Sequence, residues 1–383
     1  MPCVAAGLFP HPPVMIPDIG GKDTQKVKQT IDHVKAAMAR IMKEHPDTVV
    51  VMSPHNICFS DGPSLLLADT LSGDMGAFGH PELSMTLPVD QTLAGFIGQK
   101  ADPLCHLHHL DRKEAARYKK SIKIDWGSFV PLYYLLQAGF QGKIVLLTPD
   151  SSKRENNYVL GAILRETAQK LHRSIAVIAT GDLSHKLTKE SPHGFSPKGT
   201  LFDETIMKAL QTRDKDMLDK LSDPLLKEID TCGLSSIYFL LGVLGDAPAS
   251  NPFISHEGPF GVGYGVALYL PQEEVQKEKS PLSEHAKLAK DAIAHYIRTG
   301  RFLRVPTNLS EDLRIPSGVR ITLLEFGATR GSACSKEPQY HSLAEEIIHV
   351  AKAAATEDPT HPPVSVSELE DLEIRVEPIH SKK

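Results

Sequence analysis

Three histidines each stand a few residues beyond the point where an apolar run breaks. His11 follows residues 4–9 in Leu8-Phe9-Pro10-His11-Pro12-Pro13, and His55 follows residues 49–52 in Ser53-Pro54-His55-Asn56. His185 follows residues 175–179 in Thr180-Gly181-Asp182-Leu183-Ser184-His185. Neutral imidazole is the commonest transition-metal ligand, and its ordinary pKa also suits proton transfer near neutrality. Two such rings and one anionic group make a metal centre. The stretch Asp230-Thr231-Cys232-Gly233, just before the apolar run 234–244, supplies the anion. A thiol at a helix N-terminus feels the positive end of the helix dipole, which favours the thiolate, so Cys232 is the expected third ligand beside His11 and His55. Glu228 and Asp230 are its rivals, because two histidines and a carboxylate form the facial triad of non-haem iron enzymes. His185, with Asp182 three residues earlier to orient its ring, is expected as the acid/base group or as a fourth ligand.

Other groups rank lower. Cys105-His106-Leu107-His108-His109 crowds one short segment with no second half at zinc-finger spacing, and reads as a solvated or paired strand. His80 and His193 sit in turn-like contexts over the expected crevice. His256 and Asn56, beside the glycine-rich run 258–265 and His55 respectively, are candidate substrate contacts.

These side chains need elements to aim them. Runs rich in β-branched residues with no polar alternation are strands buried on both faces, as in a parallel sheet, and ligands of such sheets bind beyond the carboxyl ends of the strands. Residues 22–42 carry Val27, Ile31, Val34, Met38 and Ile41 at helical spacing, residues 144–147 form another short strand, and 158–171 read as a helix. The alternation is βαβ, which predicts an α/β fold: a mostly parallel sheet flanked by helices. After residue 270 the chain becomes charged and poor in apolar residues, which places a linker at 271–282 between a first domain, 1–270, and a small α+β domain, 283–383. In the latter, 283–296 and 343–355 read as helices and 319–324 as a strand.

Composition narrows the function classes. With 383 residues, 41% hydrophobic and 23% charged, the chain is long enough for two cores without staples. A net charge of -5 argues against broad phosphate neutralisation, so a small-molecule substrate is expected and nucleic acid is not. Five scattered cysteines, and the absence of a basic leader or an apolar run of about 20 residues, lead to the expectation of a cytoplasmic protein with no membrane partner.

The ordered set of residues in the first 270 positions resembles the LigB-type class III extradiol dioxygenase superfamily, and within it the Memo-like branch. His11 and His55 match the two metal-holding histidines of the family, and Gly181-Asp182-Leu183-Ser184-His185 matches the strand exit that carries its acid/base histidine. Thr231-Cys232-Gly233 before an apolar helix looks like the Memo branch, where cysteine stands for the glutamate of the dioxygenases. Asp125-Trp126-Gly127 is similar to an Asp-His-Gly run of the family, with Trp126 in the place of the histidine and able to pack against a planar substrate. The resemblance implies ring cleavage of a small aromatic or planar diol on Fe2+, with Zn2+ or Cu as alternatives. Two alternatives stand beside it: a metal-binding or redox-signalling protein without turnover, favoured by Cys232 and Trp126, and a metal-assisted hydrolase that uses the same side chains with His185 as base. From Leu288 through Ala328-Thr329-Arg330-Gly331-Ser332-Ala333-Cys334 to Asp358-Pro359-Thr360-His361-Pro362-Pro363, the chain resembles the first half of the AMMECR domain, which implies a radical-SAM or AMMECR-type partner protein. Cys334 is displaced from the family's Arg-Gly-Cys position.

Overall fold

In the first unit the strands, in chain order, are β1 (Cys3–Phe9), β2 (Thr48–Met52), β3 (Ser64–Leu66), β4 (Thr70–Met75) and β5 (His80–Pro88). They continue with β6 (His108–Leu110), β7 (Lys143–Thr148), β8 (Ile175–Thr180), β9 (Phe253–Glu257) and β10 (Tyr264–Tyr269). Every residue of β2 and β8 is buried. Covering each large apolar side chain of such strands contributes about 1.5–3 kcal/mol relative to exposure, which is why these runs take the middle of the sheet. The structure is a computed structural model that describes residues 3–245, 252–270, 283–325, 328–369 and 372–379. The expected linker, 271–282, lies outside the described residues.

Eight strands form one sheet in the order β6-β3-β7-β2-β8-β1-β10-β9. The central four, β7-β2-β8-β1, are all parallel, with Met52 opposite both Leu147 and Ala179 and Phe9 opposite Thr180. Their carboxyl ends therefore finish at one level. The alternation read from sequence does not extend to the edges: β10 and β9 pair antiparallel on one side, and β3 runs antiparallel to β7 on the other. The hairpin β4–β5, a separate two-stranded sheet, was not expected. Its first strand does carry a period-two burial pattern, so the signal was present but short.

Helices cover the sheet. The helix expected over 22–42 begins only at Lys28 and runs to Lys43; Gly21–Val27 is wound more tightly as a 3-10 segment. Helix Leu234–Leu244, apolar but for Ser235, Ser236 and the Tyr238 hydroxyl, is almost wholly buried, packed against helix Arg154–Lys170 and strands β1 and β8. None of the described helices is long and apolar enough to cross a membrane.

Contacts divide the chain into Met1–Glu274 and Val275–Lys383. The second unit is an antiparallel sheet of β11 (Gly318–Glu325), β12 (Ala328–Ser335) and β13 (Glu373–Ile379) in the order β12-β11-β13, with helices Glu284–Thr299 and Leu343–Thr356. Ser283 caps the first helix by accepting from the Ala286 amide, as expected for a serine at that place. The two separated parts of its motif meet: Arg330 donates to Glu368 at 2.6 Å and to the Pro362 carbonyl at 2.9 Å, and the Ser332 amide donates to Asp358 at 2.8 Å. With 3% of the Arg330 side chain exposed, the pair works as a built-in clamp, since a buried guanidinium left without its carboxylate is strongly destabilising. Cys334 lies exposed on β12, opposite Arg320.

Candidate metal centre

The strand order decides which side chains can meet. Because β8 lies between β2 and β1, the loops leaving all three strands share one stretch of sheet edge. His11 is fully buried; its backbone N–H donates to Asp182 Oδ1 at 3.2 Å and its Nδ1 lies 3.0 Å from Thr180 Oγ1. Pro10, Pro12 and Pro13 restrict the backbone around it. With Nδ1 engaged by the threonine, Nε2 faces the site. A bond at the far nitrogen is the usual way a ligating imidazole is oriented.

His55 is brought to the same point from β2. Its Nε2 lies 3.0 Å from that of His11. Behind it, Asp125 accepts from Ser53 Oγ at 2.6 Å and from both the amide and hydroxyl of Ser128, capping helix Trp126–Gln137. That cap sets Trp126 flat against His55, with centroids 4.0 Å apart, and edge-on to His11 at 4.9 Å. Trp126 is thus one wall of the centre.

Cys232 arrives on a loop clamped to the end of β8. The Gly233 amide donates to the Asp182 carbonyl at 2.9 Å, and the Asp182 amide donates to Cys232 Sγ at 3.2 Å. Sγ lies 3.5 Å from His11 Nε2, and the three ligand atoms all fall within 4.8 Å of one another. A tetrahedral ion with metal–nitrogen bonds of about 2.0–2.1 Å and a metal–sulfur bond of about 2.3 Å sets its ligands roughly 3.3 Å (N···N) and 3.6 Å (N···S) apart. The observed 3.0 and 3.5 Å suit one ion.

Neither rival takes part in this group. Glu228 bonds Ser196 at 2.7 Å and Lys198 at 2.8 Å, while Asp230 bonds His193. The helix-dipole argument for Cys232 fails, however: burial, followed by the charge of Asp182, pushes its thiol well above the usual range. A cation bound beside it would be needed to hold Cys232 as a thiolate. Burial likewise lowers His11 far below its ordinary value, with the neighbouring His55 and His185 adding to the effect, and burial lowers His55. Both rings are therefore neutral and ready to ligate.

His185 differs from expectation in its support. Asp182 spends its carboxylate on the His11 amide, and the His185 Nδ1 instead meets the carbonyl of Asp230, a residue in the left-handed region at φ 58°. An acceptor at Nδ1 leaves Nε2 as the basic nitrogen. His193, expected from sequence in a turn-like segment over the crevice, stacks on His185 with centroids 5.2 Å apart. Only the fold could reveal that Asp230 holds both rings.

Two proposed substrate contacts are otherwise engaged. Asn56 Nδ2 donates to the Lys123 carbonyl and to Asp125, and its Oδ1 accepts from the Ile57 amide. His256 bonds buried Asp203 at 2.7 Å; Asp203 in turn accepts from the Ser184 amide at 2.9 Å. His256 therefore braces the His185 loop. The glycine-rich run does the same through backbone bonds, Leu183 to Gly263 and Leu187 to Gly261.

Asp182 carries a testable consequence. Burial pushes its carboxyl up to about 7, opposed by the His11 amide. In metal-free protein the folded state keeps a proton that the unfolded chain releases near pH 4, so wild type should lose stability relative to Asp182→Asn as pH rises from about 4 to 7, and no further above that. Denaturant titrations across that range check it; parallel stability curves would contradict the assignment.

Comparison with known proteins follows the same division. Residues 5–267 match the family profile described as the catalytic LigB subunit of aromatic ring-opening dioxygenase, and residues 286–382 match the AMMECR1 profile. Protein CA_C1420 of Clostridium acetobutylicum is 28% identical over 392 residues, covering 97% of this chain and 83% of that protein. A protein of Methanothermobacter thermautotrophicus is 38% identical over 90 residues, which is 24% of this chain and 46% of that relative, so the chain spans less than half its length. Protein JW3007 of Escherichia coli K12 superposes with a TM-score of 0.46 at 17% identity, covering 69% of this chain and 99% of that one.

Proposed function

The chain belongs to the LigB family, that of the catalytic subunit of aromatic ring-opening dioxygenases, and from that premise we propose that its first unit is a metal-dependent oxidoreductase of the class III extradiol type, acting on a small aromatic or planar diol. The observation that carries this reading is the convergence of His11 Nε2, His55 Nε2 and Cys232 Sγ at the carboxyl edge of the parallel strands. Non-haem ferrous iron, if held by these three residues, would supply Lewis acidity toward a bound diol and redox chemistry with dioxygen. His185, held at Nδ1 by the Asp230 carbonyl, accepts a hydroxyl proton at Nε2. Trp126 offers an aromatic wall beside His55 for a flat substrate, and the buried position of His11 keeps water from that side.

A second reading, metal binding or redox signalling without turnover in the manner of the Memo-like branch, is favoured by Cys232 and Trp126. A thiolate donates charge differently from a carboxylate, and Trp126 occupies space on His55 where an imidazole would offer a further polar group. One experiment separates them. Protein loaded with ferrous iron under exclusion of air, then exposed to oxygen with a panel of catechols, should form coloured ring-opened products, and His185→Gln should lose them while retaining iron. Iron bound with no product across the panel would leave the binding reading standing and defeat the oxidoreductase.

A further inference from the structure

The five-residue segment 105–109, set aside in sequence as a strand, acquires a partner from a distant loop. We infer that Asp61, His106 and His108 form a second metal site, at the edge of the large sheet, for a borderline divalent transition metal such as zinc. Their ligand atoms lie within 4.8 Å of one another. His108 Nε2 is 2.8 Å from Asp61 Oδ1, His106 Nε2 is 3.8 Å from Asp61 Oδ2, and the two rings stand 5.0 Å apart and nearly perpendicular.

Main-chain contacts bring the three together alongside the His108–Asp61 bond. Helix Gln91–Cys105 ends on His106 in the left-handed region at φ 49°, a conformation that costs a non-glycine residue energy and turns the chain sharply into β6. That turn brings the ring of His106, which caps the helix, to 5.0 Å from the ring of His108, the first residue of β6. Asp61 is placed by Gly62, where a Cβ would lie 2.0 Å from the His106 carbonyl; only glycine allows the loop so close. The His108 amide then donates to the Pro63 carbonyl at 2.8 Å, and β3 continues the pairing with Ser64 opposite His108. Phe59 stacks on the His108 ring with centroids 3.9 Å apart and fixes its plane.

Two imidazoles and a carboxylate without sulfur select zinc or its neighbours over magnesium and calcium, which prefer oxygen ligands throughout. The Asp61 and His106 side chains are 64% and 72% exposed, so water can complete the shell. An ion here would tie edge strand β6 to the loop that leaves β2, the same loop that carries His55. Because it binds only the folded chain, it would stabilise that edge by mass action.

The test uses the full chain carrying His55→Ala and Cys232→Ser, which removes the first centre, titrated calorimetrically with zinc chloride above the imidazole titration range. Zinc should still bind, and His106→Ala or Asp61→Asn added to it should each weaken that binding by at least about 10-fold. The zinc-dependent rise in thermal midpoint should vanish with it. Should the double variant fold poorly, the same two exposed substitutions in otherwise native protein should lower zinc by one equivalent per chain. Cobalt loaded at this site should show ligand-field bands without the thiolate charge transfer expected of Cys232. Zinc stoichiometry and affinity unchanged by both His106→Ala and Asp61→Asn would overturn the assignment, as would a folded double variant that binds none.

Discussion

Elemental analysis of wild-type protein beside His55→Ala and Cys232→Ala should find the first-site metal in the wild type and nearly none in either variant. Loss of a residue that merely supports a ligand costs roughly 10–100-fold in metal affinity, so removal of one of three ligands should cost at least about 100-fold. His55 and Cys232 are only partly buried and sit on loops, so their truncation leaves the sheet core in place. Glu228→Gln is the informative control: its carboxylate is bonded to Lys198 and Ser196, and its metal content should equal the wild type. Equal metal in all four proteins would show that the three convergent atoms do not hold the ion.

Gly181→Ala should damage both the fold and the centre. A Cβ at that position would stand 2.1 Å from Gly233 Cα and 2.9 Å from Gly233 N, both backbone atoms that cannot rotate away. Either the end of β8 or the loop carrying Cys232 must move, and that loop is pinned by the Gly233 amide on the Asp182 carbonyl and by the Asp182 amide on Sγ. Overpacking of this kind costs about 1–3 kcal/mol, and backbone against backbone belongs at the upper end. Because ligand geometry tolerates only a fraction of an ångström, metal should be lost as well. Gly95→Ala makes the contrast: it lies in helix Gln91–Cys105 with open space around it, and should instead stabilise by roughly 0.5–1 kcal/mol. Urea unfolding of the two variants, with metal analysis of each, checks the pair; a Gly181→Ala protein as stable and as metal-rich as the wild type would refute the close approach.

What could be read from the chain alone follows from short-range physics. Short apolar runs with no polar alternation, rich in β-branched residues in β2 and β8, read as strands covered on both faces, so β1, β2 and β8 were legible, and with them the placement of His11, His55 and His185 beyond strand ends. The stretch 234–244, apolar but for Ser235 and Ser236, reads as a buried helix, which located Cys232 at its entrance. The order of strands was not legible, because it depends on which crossovers pack best over the whole sheet. Yet that order, with β8 between β1 and β2, is what lets His11 and His55 meet, with Cys232 brought to them from the loop clamped on β8.

Hydrogen-bond partners were hidden for the same reason. Spacing suggested that Asp182 would orient His185, but a carboxylate bonds the donor nearest in space, and the parallel pairing of β1 with β8 makes that the His11 amide. The dipole argument for Cys232 is local, whereas burial, a quantity set by everything packed around the loop, raises the thiol instead. The pairing of Asp61 with His106 and His108 likewise depends on a main-chain contact between residues more than forty positions apart. Residue type and periodicity thus determined which groups stand at the ends of strands; the tertiary structure alone decided which of them share a ligand, because distance in space is a property of the packed chain.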